Sequence, residues 1–487
     1  MGWEKQMRKA KRLHRPSLRN WESDGLYHTF PDFQEEMLGE KFQDSVRNNS
    51  NNSSISSSGS FQSSTVGIQA ASAERRRQRD YEAFIPDEKN TPVAAESVPM
   101  VLDARTLTTQ DFWDNYEGKE IPCVIRNIPQ GYEGGQRVQP WQGLRSWPLE
   151  TLRYDAQLRN RVFKCGEDDD GRSIKVKLKH FLRYQRSTKD DSPLYIFDSA
   201  FEDDRVSKRI LQEYSVPVYF RDDLFRFISE QRRPPYRWFL VGPERSGTTI
   251  HIDPLATNAW NTLIQGAKRW VLFPPHVPKN IIKGRGLVRR DEDDEAIHYF
   301  MFILPRIKRK ASAVIQLELK THGTVPDTSP YKNFCCYEFT QYAGETVFVP
   351  NGWWHAVLNL TDTVAVTQNY CSERNFEKSW IKTREGRKRM AWKLLQQLDS
   401  RPEYQHLAQR ARAMNERDGH VMKYDPVQIA KREERARLEN AKKKQQKEGE
   451  ESTSDDDDSS SNGDEEGGNN GSQSNDRRRK KQRRRMM

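Results

Sequence analysis

Thr248-Thr249-Ile250-His251-Ile252-Asp253-Pro254 is a β-branched run that carries one imidazole and one carboxylate and then stops at a proline. In a β-strand alternate side chains share a face, so His251 and Asp253 project together and can take adjacent positions on one metal ion. One imidazole and one carboxylate suit Fe(II), and a second imidazole from elsewhere completes a facial triad with three open positions. The pair alone is weak evidence. With 10 histidines and 70 acidic residues in 487, composition supplies roughly one such pair by chance. A satisfied histidine beside a capping aspartate is the ordinary alternative.

Two downstream elements change that balance. Gly344-Glu345-Thr346-Val347-Phe348-Val349-Pro350-Asn351-Gly352-Trp353-Trp354-His355 reads as a strand, a Pro/Asn/Gly turn and a second strand start bearing a histidine. Antiparallel neighbours in a barrel can bring His355 beside His251. Between them lies Gln265-Gly266-Ala267-Lys268-Arg269-Trp270. Lys268 there enters an apolar strand, can point inward and can bind the far carboxylate of a dicarboxylic cosubstrate through a charge-assisted bond. The ordinary alternatives are a core histidine under two tryptophans and a snorkelling lysine. The three elements have matching types and order, which raises all of them together.

Outward from this centre the texture is β-rich. Short runs such as Ile121 to Ile125, Trp238 to Val241, Trp270 to Phe273 and Val364 to Gln368 alternate with Gly, Pro and Asp. Many short strands with turn signals predict a mainly β barrel or sandwich. Asp222 to Gln231 has helical composition. Residues 306–333 are lysine-rich, then Thr/Pro/Gly-rich, and read as a long surface loop or insertion. After Gln368 the pattern turns helical, with Trp380, Met390, Trp392, Leu394 and Leu395 as its apolar positions. Residues 425–450 are polar all round, which fits a solvent-exposed helix or an unfolded tail.

The ends differ from the centre. Residues 1–99 hold a basic arm near 5–20 and an Asn/Ser-rich stretch at 48–66 that cannot bury enough surface to fold. Residues 100–375 form the predicted catalytic domain, and 376–448 a C-terminal helical region. The remainder, 449–487, is an acidic serine tail expected to be disordered. It ends in a basic cluster of Arg477, Arg478, Arg479, Lys480, Lys481, Arg483, Arg484 and Arg485. Net charge is +11 with a pI near 9.2. The basic clusters read as a nuclear localisation signal or as RNA contacts. No aromatics interleave with the tail arginines to stack bases. Five cysteines without a C-x-x-C pair argue against a disulfide framework and for a reducing compartment. No secretory signal is recognisable, and no apolar run approaches the about 20 residues of a transmembrane helix.

The stretches T-x-I-H-I-D-P, G-x-K-R-W and E-T-V-F-V-P-x-G-W-W-H resemble those of JmjC hydroxylases. The likeness is to the phosphatidylserine-receptor branch, the bifunctional lysyl hydroxylases and arginine demethylases. Residues 163–168, 191–198 and 232–239 strengthen the match, which covers roughly 100–395. The resemblance implies a double-stranded β-helix (a jelly-roll, cupin-like barrel) with flanking N- and C-terminal helices. It implies Fe(II) on His251, Asp253 and His355. It puts 2-oxoglutarate on Lys268 and Thr248, with Asn261, Thr367 and Tyr195 lining the same pocket, and O2 as the second cosubstrate. It further implies hydroxylation of lysine at C5 in basic nuclear proteins, such as Arg/Ser-rich splicing factors or histone tails. Arginine demethylation would be a second outcome of the same step. The acidic loop 167–170 could recruit such substrates or be a solvated turn. Rival readings are a non-enzymatic scaffold for RNA or splicing factors, a part in apoptotic-cell clearance as the branch's older name suggests, and a cupin using another metal.

Overall fold

A computed structural model describes residues 2–14, 96–168, 170–229, 233–289, 292 and 294–451. Its strands, in chain order, are β1 (Glu96–Ser97), β2 (Met100–Asp103), β3 (Cys123–Arg126), β4 (Tyr132–Glu133), β5 (Gln136–Arg137), β6 (Val162–Glu167), β7 (Ser173–Lys177), β8 (Ile196–Asp198), β9 (Arg237–Gly242), β10 (Gly247–His251), β11 (Asn258–Gln265), β12 (Ala267–Phe273), β13 (Cys336–Tyr342), β14 (Glu345–Val349), β15 (Trp354–Asn359) and β16 (Thr363–Tyr370). One sheet runs β1-β13-β12-β15-β10 and a larger one β2-β3-β14-β11-β16-β9-β8. β4–β5 and β6–β7 are separate hairpins. The large sheets form a double-stranded β-helix, antiparallel except where β1 joins β13 and β2 joins β3.

Burial shows which way the faces point. Val124, Ala259, Val347 and Val349 of the larger sheet meet Trp270, Leu272 and Val357 of the smaller one in a core between the two. The opposite face of the larger sheet carries Trp260, Phe239, Phe348 and Val366, which pack under the N-terminal elements. The opposite face of the smaller sheet carries Val271, Phe273, Ala356 and Leu358, which pack under Tyr299, Phe300, Leu304 and Ile307. β11 and β16 are therefore covered on both faces, which explains their near-continuous burial. β10 ends the smaller sheet and hydrogen-bonds only to β15 within it.

The segment 306–333 is a correction to the sequence reading. It is not one long loop: Leu304–His322 is an α-helix of 19 residues. Pro305 stands in its first turn, where a missing N–H does no harm. Leu304, Ile307 and Ala311, three and four apart, bury one face. Of the lysines that suggested a loop, Lys310 and Lys320 are exposed and Lys308 pairs with Glu338. Gly323, with φ 72°, ends the helix in the left-handed conformation that glycine adopts without strain. Similarly, the described part of 222–231 forms only the short 3-10 turn Leu224–Phe227.

The basic arm also gains structure. Trp3–His14 is a helix with Met7, Ala10 and Lys11 buried. Lys11 pairs with Asp190, and the His14 ring contacts the Glu167 carbonyl at 3.2 Å. At the other end Phe376–Gly386, Lys388–Asp399 and Gln405–Arg417 form the expected helices. They bury Trp380, Met390, Leu394 and Leu395, with Trp392 packed against that core. From Asp425 the chain is a separate compact unit, in which Pro426–Glu451 is one helix. That helix continues past 449, where the sequence suggested a disordered tail. The Asn/Ser-rich stretch and the basic cluster at 477–485 lie outside the described residues. No helix among the described residues is long and apolar enough to cross a membrane.

Candidate metal and cosubstrate site

The cross-strand register builds the metal site. Thr248 stands opposite Val357 and His251 opposite His355, so three steps along β10 match two along β15. This is a β-bulge. Directly opposed residues in an antiparallel pair share a face. The bulge therefore puts Thr248 and His251 on the same inner face as Val357 and His355, although simple alternation would separate them. The two imidazole rings stand 4.2 Å apart, centre to centre. Asp253 follows the strand in extended backbone, and its Oδ2 lies 3.9 Å from Nε2 of His355. One ligand atom from each of His251, Asp253 and His355 falls within 4.8 Å of the others.

Hydrogen bonds aim both rings. His251 Nδ1 lies 2.7 Å from the Thr249 carbonyl, and His355 Nδ1 lies 3.1 Å from the Trp353 carbonyl. A carbonyl only accepts, so each Nδ1 carries the proton and each Nε2 lone pair is left for a metal. Burial, and then the neighbouring His251, hold His355 down at about 4, which keeps it neutral. Trp353 is itself fixed, because its indole N–H donates to the Glu120 carbonyl at 3.0 Å.

The turn after Asp253 is strained. Leu255 and Ala256 have φ of 59° and 49° without being glycine. Asn375 Nδ2 and the Ser379 hydroxyl both donate to the Ala256 carbonyl, at 2.9 and 2.8 Å, and hold the turn in place. Asn258 ties it to the turn before His355, because its Oδ1 accepts the Asn351 N–H at 2.8 Å. Glu117 in turn accepts from Asn258 and from the Tyr370 hydroxyl. Sequence reading missed this set. Single amide and hydroxyl side chains far apart in the chain carry no spacing signal.

Lys268 lies on β12 opposite Asn359 and Gln341, two positions from Trp270, and so faces the interior. It is 1% exposed, and its ammonium donates to the Tyr195 hydroxyl at 3.1 Å. No carboxylate is paired with it among the described residues. Burial lowers it to about 7 and pushes the Tyr195 hydroxyl up, so the tyrosine stays neutral. Across the barrel Asn261 is the cross-strand partner of Thr367. The Thr367 hydroxyl donates to the Trp260 carbonyl at 2.7 Å. Asn261 Oδ1 is buried without a hydrogen-bond partner. A buried cation short of an anion, facing the same interior as a buried amide short of a donor, fits a small acid with more than one oxygen-bearing end.

The tryptophan pair splits. Trp353 joins the inner core, while Trp354 lies half-buried on the other side under Lys279 and Lys283. The acidic residues near 167–170 sit at the β6–β7 turn. Glu167 is engaged there by Lys164 and Asp170 by Arg172.

Residues 238–370 match the model of the JmjC domain, hydroxylase. Over 315 residues the chain is 40% identical to the bifunctional arginine demethylase and lysyl-hydroxylase psr-1 of Caenorhabditis elegans, covering 64% of this chain and 71% of that one. It is 32% identical over 277 residues to the arginine-specific demethylase JMJ22 of Arabidopsis thaliana, with 56% and 47% covered. It is 30% identical over 307 residues to the 2-oxoglutarate and iron-dependent oxygenase JMJD4 homolog of Drosophila melanogaster, with 56% and 64% covered. With such relatives and such a site inside a double-stranded β-helix, the chain belongs to the JmjC-domain hydroxylases.

Proposed function

We propose that this protein is an Fe(II)- and 2-oxoglutarate-dependent oxygenase that hydroxylates lysine side chains of basic proteins at C5. The observation that carries the reading is a pairing inside one barrel. A two-histidine, one-carboxylate cluster opens onto the same interior as a buried lysine that pairs with no carboxylate among the described residues. His251, Asp253 and His355 would hold the iron. Lys268 and Tyr195 would take the far carboxylate of 2-oxoglutarate, with Thr248, Asn261 and Thr367 around it. When bound, iron with 2-oxoglutarate and O2 supplies insertion of one oxygen into an unactivated C–H bond, coupled to release of succinate and carbon dioxide.

The chain's own residues set the conditions for that chemistry. The Thr249 and Trp353 carbonyls keep both imidazoles in the ligating tautomer. The apolar inner core excludes water around Lys268, so its ion pair with the cosubstrate forms in a low dielectric. Which product follows depends on the carbon held at the metal. A lysine methylene retains the hydroxyl, whereas a hydroxylated N-methyl group collapses and releases formaldehyde. The name of the nematode relative contains both activities, and lysine hydroxylation is the one proposed first here. Arg/Ser-rich splicing factors and histone tails are the proposed substrates, and the basic clusters support a nuclear location.

The test is mass spectrometry of an Arg/Ser/Lys-rich peptide and a methylated histone-tail peptide after incubation with protein, Fe(II), 2-oxoglutarate and air. One added oxygen on lysine, absent with His251→Ala, supports the proposal. Loss of a methyl group with formaldehyde overturns the lysine assignment in favour of demethylation. No consumption of 2-oxoglutarate returns the chain to the scaffold reading.

A further inference from the structure

A cavity of about 460 Å³ is lined by residues of the helix Leu178–Gln185, by Arg186 at its end, and by Arg153 and Arg159. None of its lining residues belongs to the metal and cosubstrate set. Five cations surround it: Arg153, Arg159, Lys179, Arg183 and Arg186. His180 and Leu182 complete the wall, and among the described residues no carboxylate contributes to it. Lys179, Arg183 and Arg186 are four and three positions apart, the spacing that gathers side chains on one helical face. Arg153 is held by Glu150 at 2.7 Å. Among the described residues, Arg159, Lys179 and Arg186 are paired with no carboxylate.

The N-terminal helix packs against the helix that lines the cavity. Arg183 lies over the Trp3 ring at 5.7 Å, and His180 Nδ1 is 2.5 Å from Gln6 Oε1. That helix is itself basic, with Lys5, Arg8, Lys9 and Arg12. Two positively charged elements are thus packed together beside a cavity whose described lining holds no carboxylate, Glu150 reaching it only through Arg153. Burial, and then Lys179, Lys177 and Arg183, hold His180 below its ordinary value, as a concentrated positive field requires.

We propose that this cavity binds a compact soluble polyphosphate, a small molecule carrying several clustered phosphate groups. Guanidinium forks match phosphate oxygens two at a time, and four of the five cations are arginines. The volume is that of a small-ligand site. Among the described residues the only ring in the lining is the His180 imidazole, already held by Gln6, which disfavours stacking of a single-stranded nucleic acid. A bound polyanion relieves repulsion between Leu178–Gln185 and Trp3–His14 and so tightens the docking of the N-terminal helix.

Isothermal titration of the full chain with inositol hexakisphosphate tests this, with a short single-stranded RNA in parallel. Lys179→Gln with Arg186→Gln is expected to weaken inositol hexakisphosphate binding by about tenfold or more. Consumption of 2-oxoglutarate and the melting temperature without ligand should stay unchanged. Arg159→Gln, at an exposed position, is expected to act in the same direction. Equal affinity in the parent and both variants would assign the binding to another basic segment and overturn the proposal. RNA binding that falls in the variants, with no binding of inositol hexakisphosphate, would overturn the compact ligand in favour of a nucleic acid.

Discussion

Replacing Lys268 by methionine should move stability and cosubstrate affinity in opposite directions. The side chain is fully buried, and its ordinary value of 10.5 falls to about 7 through burial alone. That fall corresponds to roughly 5 kcal/mol against the charged ammonium. An unfolded chain keeps the proton up to its ordinary value, whereas the folded one releases it above about 7. Between those limits the unfolded state binds more protons, so stability of the cosubstrate-free protein rises with pH across that window. Methionine has similar length and no charge. Lys268→Met should therefore be more stable than the parent at about pH 6, by a sizeable part of that penalty, and should lack the rise above about pH 7. The Tyr195 hydroxyl keeps Asn359 beside it, so its loss of one partner offsets little. Cosubstrate binding behaves the other way. Removing a hydrogen bond between charged groups costs about 1.5–3 kcal/mol, so KM for 2-oxoglutarate should rise by about 10- to 150-fold. Urea denaturation on both sides of neutrality and a 2-oxoglutarate consumption assay measure the two effects. A methionine variant that is less stable at acid pH and has an unchanged KM would refute the reasoning, because Lys268 would then be a structural cation.

Asp253→Ala should abolish succinate formation and leave circular dichroism unchanged; an active variant would remove Asp253 from the metal set. Trp353→Phe deletes the N–H that Glu120 accepts and loosens the carbonyl that orients His355. Metal retention, followed by Co(II) titration, should weaken by about tenfold, as is usual when an outer partner of a ligand is lost. Lys11→Ala leaves Asp190 with the Tyr184 hydroxyl but without its buried cation and should cost about 3 kcal/mol in chemical denaturation. Truncation at 449 should spare catalysis on short peptides and lower nuclear retention in imaged cells; undiminished retention would refute a targeting role for that tail.

The parts of the site legible in the sequence were those in which residue type and strand context reinforce each other. His251, Asp253, Lys268 and His355 stand out because charged or imidazole groups interrupt otherwise apolar strands. Thr248 is different. Alternation places it opposite to His251, and only the bulge, which no local composition marks, returns it to the same face. Thr248 entered the reading through family resemblance. The helix at 304–322 was hidden because its basic start was read together with the Thr/Pro/Gly-rich stretch that follows it, while its buried stripe consists of only a few residues. The docking of Trp3–His14 was hidden for a related reason. A basic amphipathic segment reads as a free arm until a partner such as Asp190 is known, and that partner lies far along the chain. The buried amides Asn258, Asn351 and Asn375 act through three-dimensional neighbours and leave no periodic trace.

Among the described residues β10 is an edge strand, hydrogen-bonded within its sheet to β15 alone, and it supplies His251 while β15 supplies His355. An ion shared by those two rings acts as a cross-strand staple at the seam where the barrel is easiest to open. Iron supply thus becomes a mechanical variable as well as a chemical one. A starved molecule should therefore open at this seam before a loaded one, exposing an unpaired strand to proteases and to other unpaired strands. The population of intact molecules should then follow the availability of the metal.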